Sequence, residues 1–339
     1  MSGMATAVKV KAREAEKMRK KLSSSGLLDS LHKAETEGGF VYFPVRGKVP
    51  GHKLVKRRMA RVRRKPAFRE LLAKLLGKGA GDAVFSYDVI GDIAVLEVPE
   101  KFSKKAREIG LLLLESDSKL KAVFRKAGGR EGRYRVTRLA HLAGDMRTET
   151  VHAENGVRMK VDIAKEYFTP RLAAERKRVA GLVEDGEKVL VLFAGVGPYA
   201  LAIAKRKDAE VAGIELNPSA VRHFGESIGM NKLRGHVKVV KGDVKKVVPK
   251  MFRGFADRVL MPLPHSAEKF LPEAIMAVKK GGIVHLYTIA EKEGGAEKAR
   301  EAVLMAARKA KRGAKALRVK AVRPFSAARE QLAIDFRCT

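Results

Sequence analysis

The stretch "KVLVLFAGVGPYALAIA", Lys188 to Ala204, sets an apolar run of strand length directly against a glycine turn and a helical pattern. Gly195 and Gly197 follow the run at once, and small residues there let a backbone come close to a ligand at a helix N-terminus. Tight turns of many α/β sheets look the same, so the pattern gains meaning only from the segments C-terminal to it. Strand-like "AEVAGIEL" leads to helical "PSAVRHFGESIGMNK", then "VKVVKGD" to "KKVVPKM", "ADRVLM" to "AEKFLPEAIMAVKK", and last "GGIVHLYTI". Repeated strand–helix units predict an α/β fold with a doubly wound, Rossmann-like parallel sheet and helices on both faces.

The polar residues at the ends of these strands carry chemistry. Glu215 closes the second strand twenty residues after Gly195, where an acid in nucleoside-binding sheets accepts hydrogen bonds from ribose hydroxyls. Asp243 closes the third, placed to meet an adenine amino group. The fourth ends in "DRVLMPLPHS", in which Pro262 and Pro264 stand one residue apart at a place that would face a reactive centre. Loop, acid and acid on successive strand ends is the layout of a class I methyltransferase using S-adenosyl-L-methionine, and not the dinucleotide GxGxxG pattern.

Upstream, residues 8–36 read as a charged helix, followed by the strand "GGFVYFPV". Eight of the thirteen residues Lys53–Lys65 are basic, which reads as an exposed linker closed by Pro66. "FRELLAKLLGKGAGD" has apolar residues at helical spacing, "AVFSYDVIGDIAVLEVP" reads as two strands around Gly91-Asp92, and short elements continue to about Phe168. The expected organisation is a small αβ domain over 1–52, a basic linker over 53–66, an α+β domain over 67–168, and the Rossmann-like domain over 169–339.

Charge and cysteine content narrow the partners. Lys and Arg number 71 against 38 Asp and Glu, a net charge of +33. Such an excess points to a polyanion, because basic contacts to phosphates release condensed counterions. The single cysteine, Cys338, excludes an internal disulfide and a cysteine-built zinc site. No HExxH or Walker-type loop is present, so no metal is expected. The N-terminus lacks an apolar signal segment and the uncharged run Val189–Ala204 is too short to span a bilayer. A cytoplasmic protein with no membrane partner is expected.

"DIAKEYFTPRLAAERKRVA" followed by "FAGVGPYALAIAK" resembles the archaeal and eukaryotic tRNA (guanine-37-N1)-methyltransferase family, whose members carry a "YFSPRLxxER" segment just before "FAGVGPF". "NGVRMKVD", "GDVKKV", "GGIVHLYTI", "REQLAIDF" and, nearer the N-terminus, "LLDSLHKAETEGGFVYFPV" and "VIGDIAVLEVP" extend the likeness over nearly the whole chain. Related aminocarboxypropyl transferases of wyosine synthesis have a "SPANxxER"-like segment where this chain has "TPRLAAER".

The resemblance implies methyl transfer from S-adenosyl-L-methionine to N1 of guanosine 37 in tRNA; since each domain reads as complete, a monomer is the simpler expectation. It implies Glu175 as the general base and Arg135 as the cation at guanine O6, with Arg133 and Arg138 as neighbours that could hold that role. Taken from its helix position alone, Glu175 equally suits an ion pair with Arg178 or Arg171. Tyr167, Phe193, Gly195, Gly197, Glu215 and Asp243 would hold the cofactor, and Arg171, Pro262 and Pro264 the substrate. The small N-terminal domain resembles the module that contacts the outer corner of tRNA.

Two departures stand out. Many members read "NLP" where this chain has Pro262-Leu263-Pro264, and many have an acid at Val191. An archaeal subgroup shares both, and some of its members also methylate C7 of 4-demethylwyosine, although that subgroup can read "GVIPY" where this chain has "GVGPY". That second activity, an aminocarboxypropyl transferase and a non-catalytic RNA-binding protein on a decayed fold are the alternatives. Pro262 removes a side-chain contact and a backbone donor, and is expected to widen acceptance toward a bulkier base.

Overall fold

A computed structural model describes residues 2–61, 67–77, 85–134 and 136–339. The chain divides into two compact units, Met1–Leu75 and Leu76–Thr339.

In the first unit, β1 (Ser2–Lys11), β2 (Glu35–Glu37), β3 (Phe40–Pro44) and β4 (Leu54–Ala60) form an antiparallel sheet in the order β2-β3-β1-β4. Helix α1 (Ala15–Ser24) buries Met18 and Leu22 against Val8, Val10 and Phe43. Two expectations are corrected here. The helix over 8–36 is confined to α1, because Val8 and Val10 alternate with outward Lys9 and Lys11, and a period of two is a strand. The basic linker over 53–66 is in part β4, which pairs with β1 from Val8↔Leu54 to Ser2↔Ala60. Its Met59 is buried with Ala5 and Ala7, and its Arg57 stacks 3.9 Å from the Tyr42 ring centroid. Residues 62–66 lie outside the described residues.

Helix α2 (Phe68–Leu76) precedes the second unit's smaller sheet. That sheet has the order β5-β6-β7-β8, from β5 (Ser86–Ile90), β6 (Ile93–Glu97), β7 (Ala122–Glu131) and β8 (Val136–Gly144), with α3 (Ala106–Ser116) packed on it. A hairpin, β9 (Glu149–Glu154) and β10 (Val157–Asp162), follows, then α4 (Ala173–Leu182). The strand–helix series comes next: β11 (Lys188–Leu192), α5 (Pro198–Ala204), β12 (Glu210–Glu215), α6 (Pro218–Gly229), β13 (His236–Lys241), α7 (Val244–Met251), β14 (Ala256–Met261), α8 (Leu271–Ala277), β15 (Val278–Glu291), α9 (Gly295–Lys309), β16 (Ala314–Pro324) and β17 (Arg329–Cys338).

These strands make a seven-stranded sheet, β13-β12-β11-β14-β15-β17-β16, in which β17 alone runs against its neighbours. β11 is apolar on both sides, as a central parallel strand must be. Its Val189 and Val191 pack with α4, α5 and α6, while Leu190 and Leu192 pack with α7, α8 and α9. Because β12 lies on one side of β11 and β14 on the other, the chain reverses direction across the sheet there. A crevice opens at the strands' C-terminal ends.

No separate unit begins at the expected boundary of 168/169. The apolar cluster under α4–α6 continues through Val157, Met159 and Val161 of β10 to Ile93 and Val95 of β6, so one core serves both sheets. No helix of the described residues is long and apolar enough to cross a membrane.

Candidate active site

At the crevice the chain leaves β11 through Phe193, held at φ +55°, a left-handed conformation uncommon for a bulky residue. That turn directs Gly195 back across the strand ends. The Gly195 N–H donates to Glu215 Oε2 at 2.7 Å, and Glu215 Oε1 accepts from the Leu216 and Asn217 N–H groups, both at 2.8 Å. Three of the four acceptor positions of a carboxylate are thereby filled, and Oε2 keeps one for a ligand. A Cβ at Gly195 would meet nothing nearer than the Tyr167 carbonyl oxygen at 3.8 Å. Gly197 caps α5 at φ +84°, where a Cβ would fall 2.1 Å from the Phe224 ring.

A cavity of about 270 Å³ sits over these groups. Tyr167, Phe193, Gly195, Glu215, Asp243, Pro262 and Pro264 all line it, so seven residues singled out in the sequence meet in one place. Leu216, Val244, Leu263 and Phe270 add apolar wall. Gly197 shapes the turn from behind instead. Asp243 caps α7 through Lys245 N–H at 3.0 Å, and its other oxygen accepts from Arg133 Nη2 at 3.0 Å. Arg133 and Tyr134 reach the cavity from the turn between β7 and β8. Arg135 lies outside the described residues.

A second cavity, about 300 Å³, shares Tyr167 with the first. Arg171 lines it and donates from Nε to Asp88 Oδ1 at 2.6 Å; Glu97, Lys126 and Arg323 also face it. The segment bearing Tyr167 is pinned by Glu166, a fully buried carboxylate 2.6 Å from His223 Nδ1 that accepts from Ser219 Oγ at 2.6 Å and from the Asp162 N–H. Burial pushes the Glu166 carboxyl up.

Glu175 lines neither cavity. It is 3% exposed, on the side of α4 that packs onto β15 and β17. Arg178 Nη2 and Nε donate to its Oε1 at 2.6 and 3.0 Å, and the Tyr287 hydroxyl donates to the same oxygen at 2.8 Å. The ion pair expected as one alternative is thus formed, with Arg178 and not with Arg171. Arg178 also donates to Asp335, whose other oxygen takes the Nδ1–H of His285 at 2.6 Å. Arg258 Nη1 can only donate, so His285 Nε2 is the acceptor and the imidazole is the neutral Nδ1–H tautomer. Burial holds His285 below its ordinary value. Burial alone would raise Asp335, but hydrogen bonds from His285 and Arg178 outweigh it and bring the carboxyl down to about 2. Sequence reading passed over Tyr287, His285 and Asp335 as site residues; "GGIVHLYTI" and "REQLAIDF" contain them, and their alternation was the available signal.

The chain is 39% identical over 291 residues to the tRNA (guanine(37)-N(1))-methyltransferase Trm5b of Pyrococcus abyssi, an alignment spanning 84% of each protein. It belongs to the TRM5/TYW2 methyltransferase family. That family's methyltransferase domain matches residues 150–315, preceded by the TYW2 N-terminal domain over 68–148 and the tRNA methyltransferase 5 N-terminal domain over 7–53. Among solved structures of the family, the complex of aTrm5 with tRNALeu superposes with a TM-score of 0.72 at 32% identity, covering 98% of this chain and 99% of that one. The Methanocaldococcus jannaschii Trm5 complex with adenosine gives 0.66 at 31% identity, covering 98% of each. An adenosine group fits the first cavity on its own chemistry: flat apolar walls, a carboxylate with one acceptor position left, and a glycine turn with room beside it.

Proposed function

We propose that this member of the TRM5/TYW2 family is a cytoplasmic, monomeric tRNA methyltransferase that modifies N1 of guanosine 37, using S-adenosyl-L-methionine. The observation that carries the reading is the pair of cavities meeting at Tyr167, which supports a methyl donor on one side and a flipped-out base on the other. The similarity to Trm5b and the charge of +33 agree with a tRNA substrate.

The residues around the first cavity would hold the cofactor: Glu215 at the ribose, Asp243 at the adenine edge, and Phe193, Leu216 and Phe270 against the ring. When bound, the cofactor supplies an electrophilic methyl group and its own leaving group. Guanine N1 still carries its proton at neutral pH, so attack needs a base, and Glu175 is the residue the family motif assigns. As that proton leaves, negative charge gathers on O6, where a fixed guanidinium stabilises it. The family motif assigns that part to Arg135, with Arg133, which lines the first cavity, and Arg138 as the neighbours that could hold it instead. Arg171 and Tyr167 border the space left for the base.

Incubation with labelled S-adenosyl-L-methionine and unmodified tRNA bearing G37, followed by nucleoside mass spectrometry, tests the reading. The expected product is 1-methylguanosine at position 37; no incorporation there overturns it. With tRNA carrying 4-demethylwyosine, the same assay reads a second methylation, which Pro262→Asn would suppress while sparing N1.

A further inference from the structure

Three strands set a row of side chains beneath α4. Register places Tyr287 of β15 opposite Ala333 of β17, and Ala333 opposite Lys320 of β16. The small Ala333 separates the two larger residues, and the Glu175 carboxylate is in contact with both. Its two oxygens are not equivalent. Oε1 accepts from the Tyr287 hydroxyl at 2.8 Å and from Arg178 Nη2 at 2.6 Å, which fill its two lone pairs. Oε2 accepts only the Arg178 Nε–H at 2.9 Å, a proton it shares with Oε1 at 3.0 Å. Its other neighbour is the Lys320 ammonium at 3.6 Å, whose side chain is 41% exposed.

The next row holds the grip in place. His285 stands opposite Asp335, Asp335 receives Arg178 Nη1 at 3.0 Å, and His285 is held from behind by Arg258, which is paired in two places with Glu187. Arg178 therefore cannot swing without breaking a chain of five charged or polar groups. Tyr287 has no such freedom either, being fully buried against Tyr199 with ring centroids 5.9 Å apart.

We infer that Tyr287 and the Arg178–Asp335 pair are positioning residues for Glu175, which lock Oε1 and reserve Oε2 as the oxygen that receives the guanine N1 proton. The inference rests on the reading of Glu175 as the general base. In that step the N1–H bond breaks and the Oε2–H bond forms. The electron pair left on N1 bonds to the methyl carbon, and the sulfonium departs as a neutral thioether with the pair from the broken S–C bond. Tyr287 and Asp335 touch none of the reacting atoms; they fix the carboxylate's rotation, and a rotation of the base out of line weakens the transition state without weakening ground-state binding.

Tyr287→Phe keeps the ring and removes only the hydroxyl. It should lower kcat roughly tenfold, the loss of one hydrogen bond to a charged group, with KM for tRNA and for S-adenosyl-L-methionine within about twofold. The melting temperature should fall by only a few degrees, and kcat is compared well below it. In a Glu175→Gln background the same change should lower kcat no further, because there is no base left to position. Asp335→Asn serves as a second variant with the same split between kcat and KM. An unchanged kcat in Tyr287→Phe while Glu175→Gln is slow overturns the positioning claim alone, as do losses in the double variant that multiply. Full turnover in Glu175→Gln overturns the base assignment and this inference with it.

Discussion

At the ends of β11, β12 and β13 the polar side chains are caught by backbone: Glu215 by three N–H groups, Asp243 by the first turn of α7. Under α4 they are caught by one another, in a chain from Glu187 through Arg258, His285, Asp335 and Arg178 to Glu175. A carboxylate held by main chain keeps its place whatever its neighbours carry, so the donor cavity is stiff one residue at a time. A carboxylate held by side chains depends on the charge of every link. The first arrangement suits a binding site; the second suits a group that must change protonation state in a fixed position.

The comparison can be broken at several points. The largest effect is expected for Glu175→Gln, which should reduce methyl transfer by about a hundredfold or more if proton removal is its task, with S-adenosyl-L-methionine affinity unchanged by calorimetry; a parallel loss of affinity would place Glu175 in the binding site instead. Gly197→Ala should act on the other side of the comparison. Its Cβ would fall 2.1 Å from Phe224 at φ +84°, and strain with overpacking costs about 3 kcal/mol, so thermal unfolding should drop by about 5 °C or more and donor binding with it.

Asp335→Asn should change the acid limb of stability. The folded-state carboxyl titrates near about 2 against an ordinary 3.8, so the native state binds fewer protons than the unfolded chain between those values. Its contribution, about 2 kcal/mol, is present above pH 4 and lost as pH falls through 2. His285, held below its ordinary 6.5 by burial, has the same sign, with stability falling as pH drops below 6.5. Denaturant unfolding between pH 2 and 6 should show a flatter curve for Asp335→Asn. The smallest effect is expected for Arg133→Ala. That side chain is 64% exposed in its pair with Asp243, which puts its contribution below about 1 kcal/mol. A more than tenfold change in donor affinity would mean that Arg133, and not backbone, governs that end of the cavity.

The contrast also explains what could be read in advance. Gly195, Glu215 and Asp243 each sit at the end of an apolar run, so strand order alone brings them together, and that order follows from the alternation of strands and helices. Pro262 and Pro264 were placed by the same reasoning. Of the groups around Glu175, Arg178 was legible from its spacing on the helix, but Tyr287, and Asp335 behind Arg178, were not, because they lie on strands far along the chain and meet α4 only through the tertiary fold. Alternation tells which face of a strand a residue takes, but not which residue of β15 stands opposite which residue of β17, since α9 and β16 separate the two in sequence. At the N-terminus the charge of residues 8–36 argued for a helix, while the alternation of Val8 and Val10 with Lys9 and Lys11 makes 8–11 the end of a strand. The run of cations after Lys53 concealed a strand because Val55 and Met59, the residues that dock it on β1, are few among its charges.

The antiparallel strand β17 has a consequence for how far damage at that edge of the sheet can reach. It follows β16 in sequence yet lies between β15 and β16, so β16 is joined to the rest of the sheet through β17. That same pairing sets Asp335 beside His285 and Arg178, and Lys320 beside Glu175. The first cavity takes no lining residue from β15, β16 or β17, whereas Tyr287, Asp335 and Lys320, which surround Glu175 and Arg178, all come from those strands. A lesion confined to the β16–β17 pair should therefore disturb the hydrogen-bonded cluster around Arg178 and Glu175 while leaving the first cavity standing.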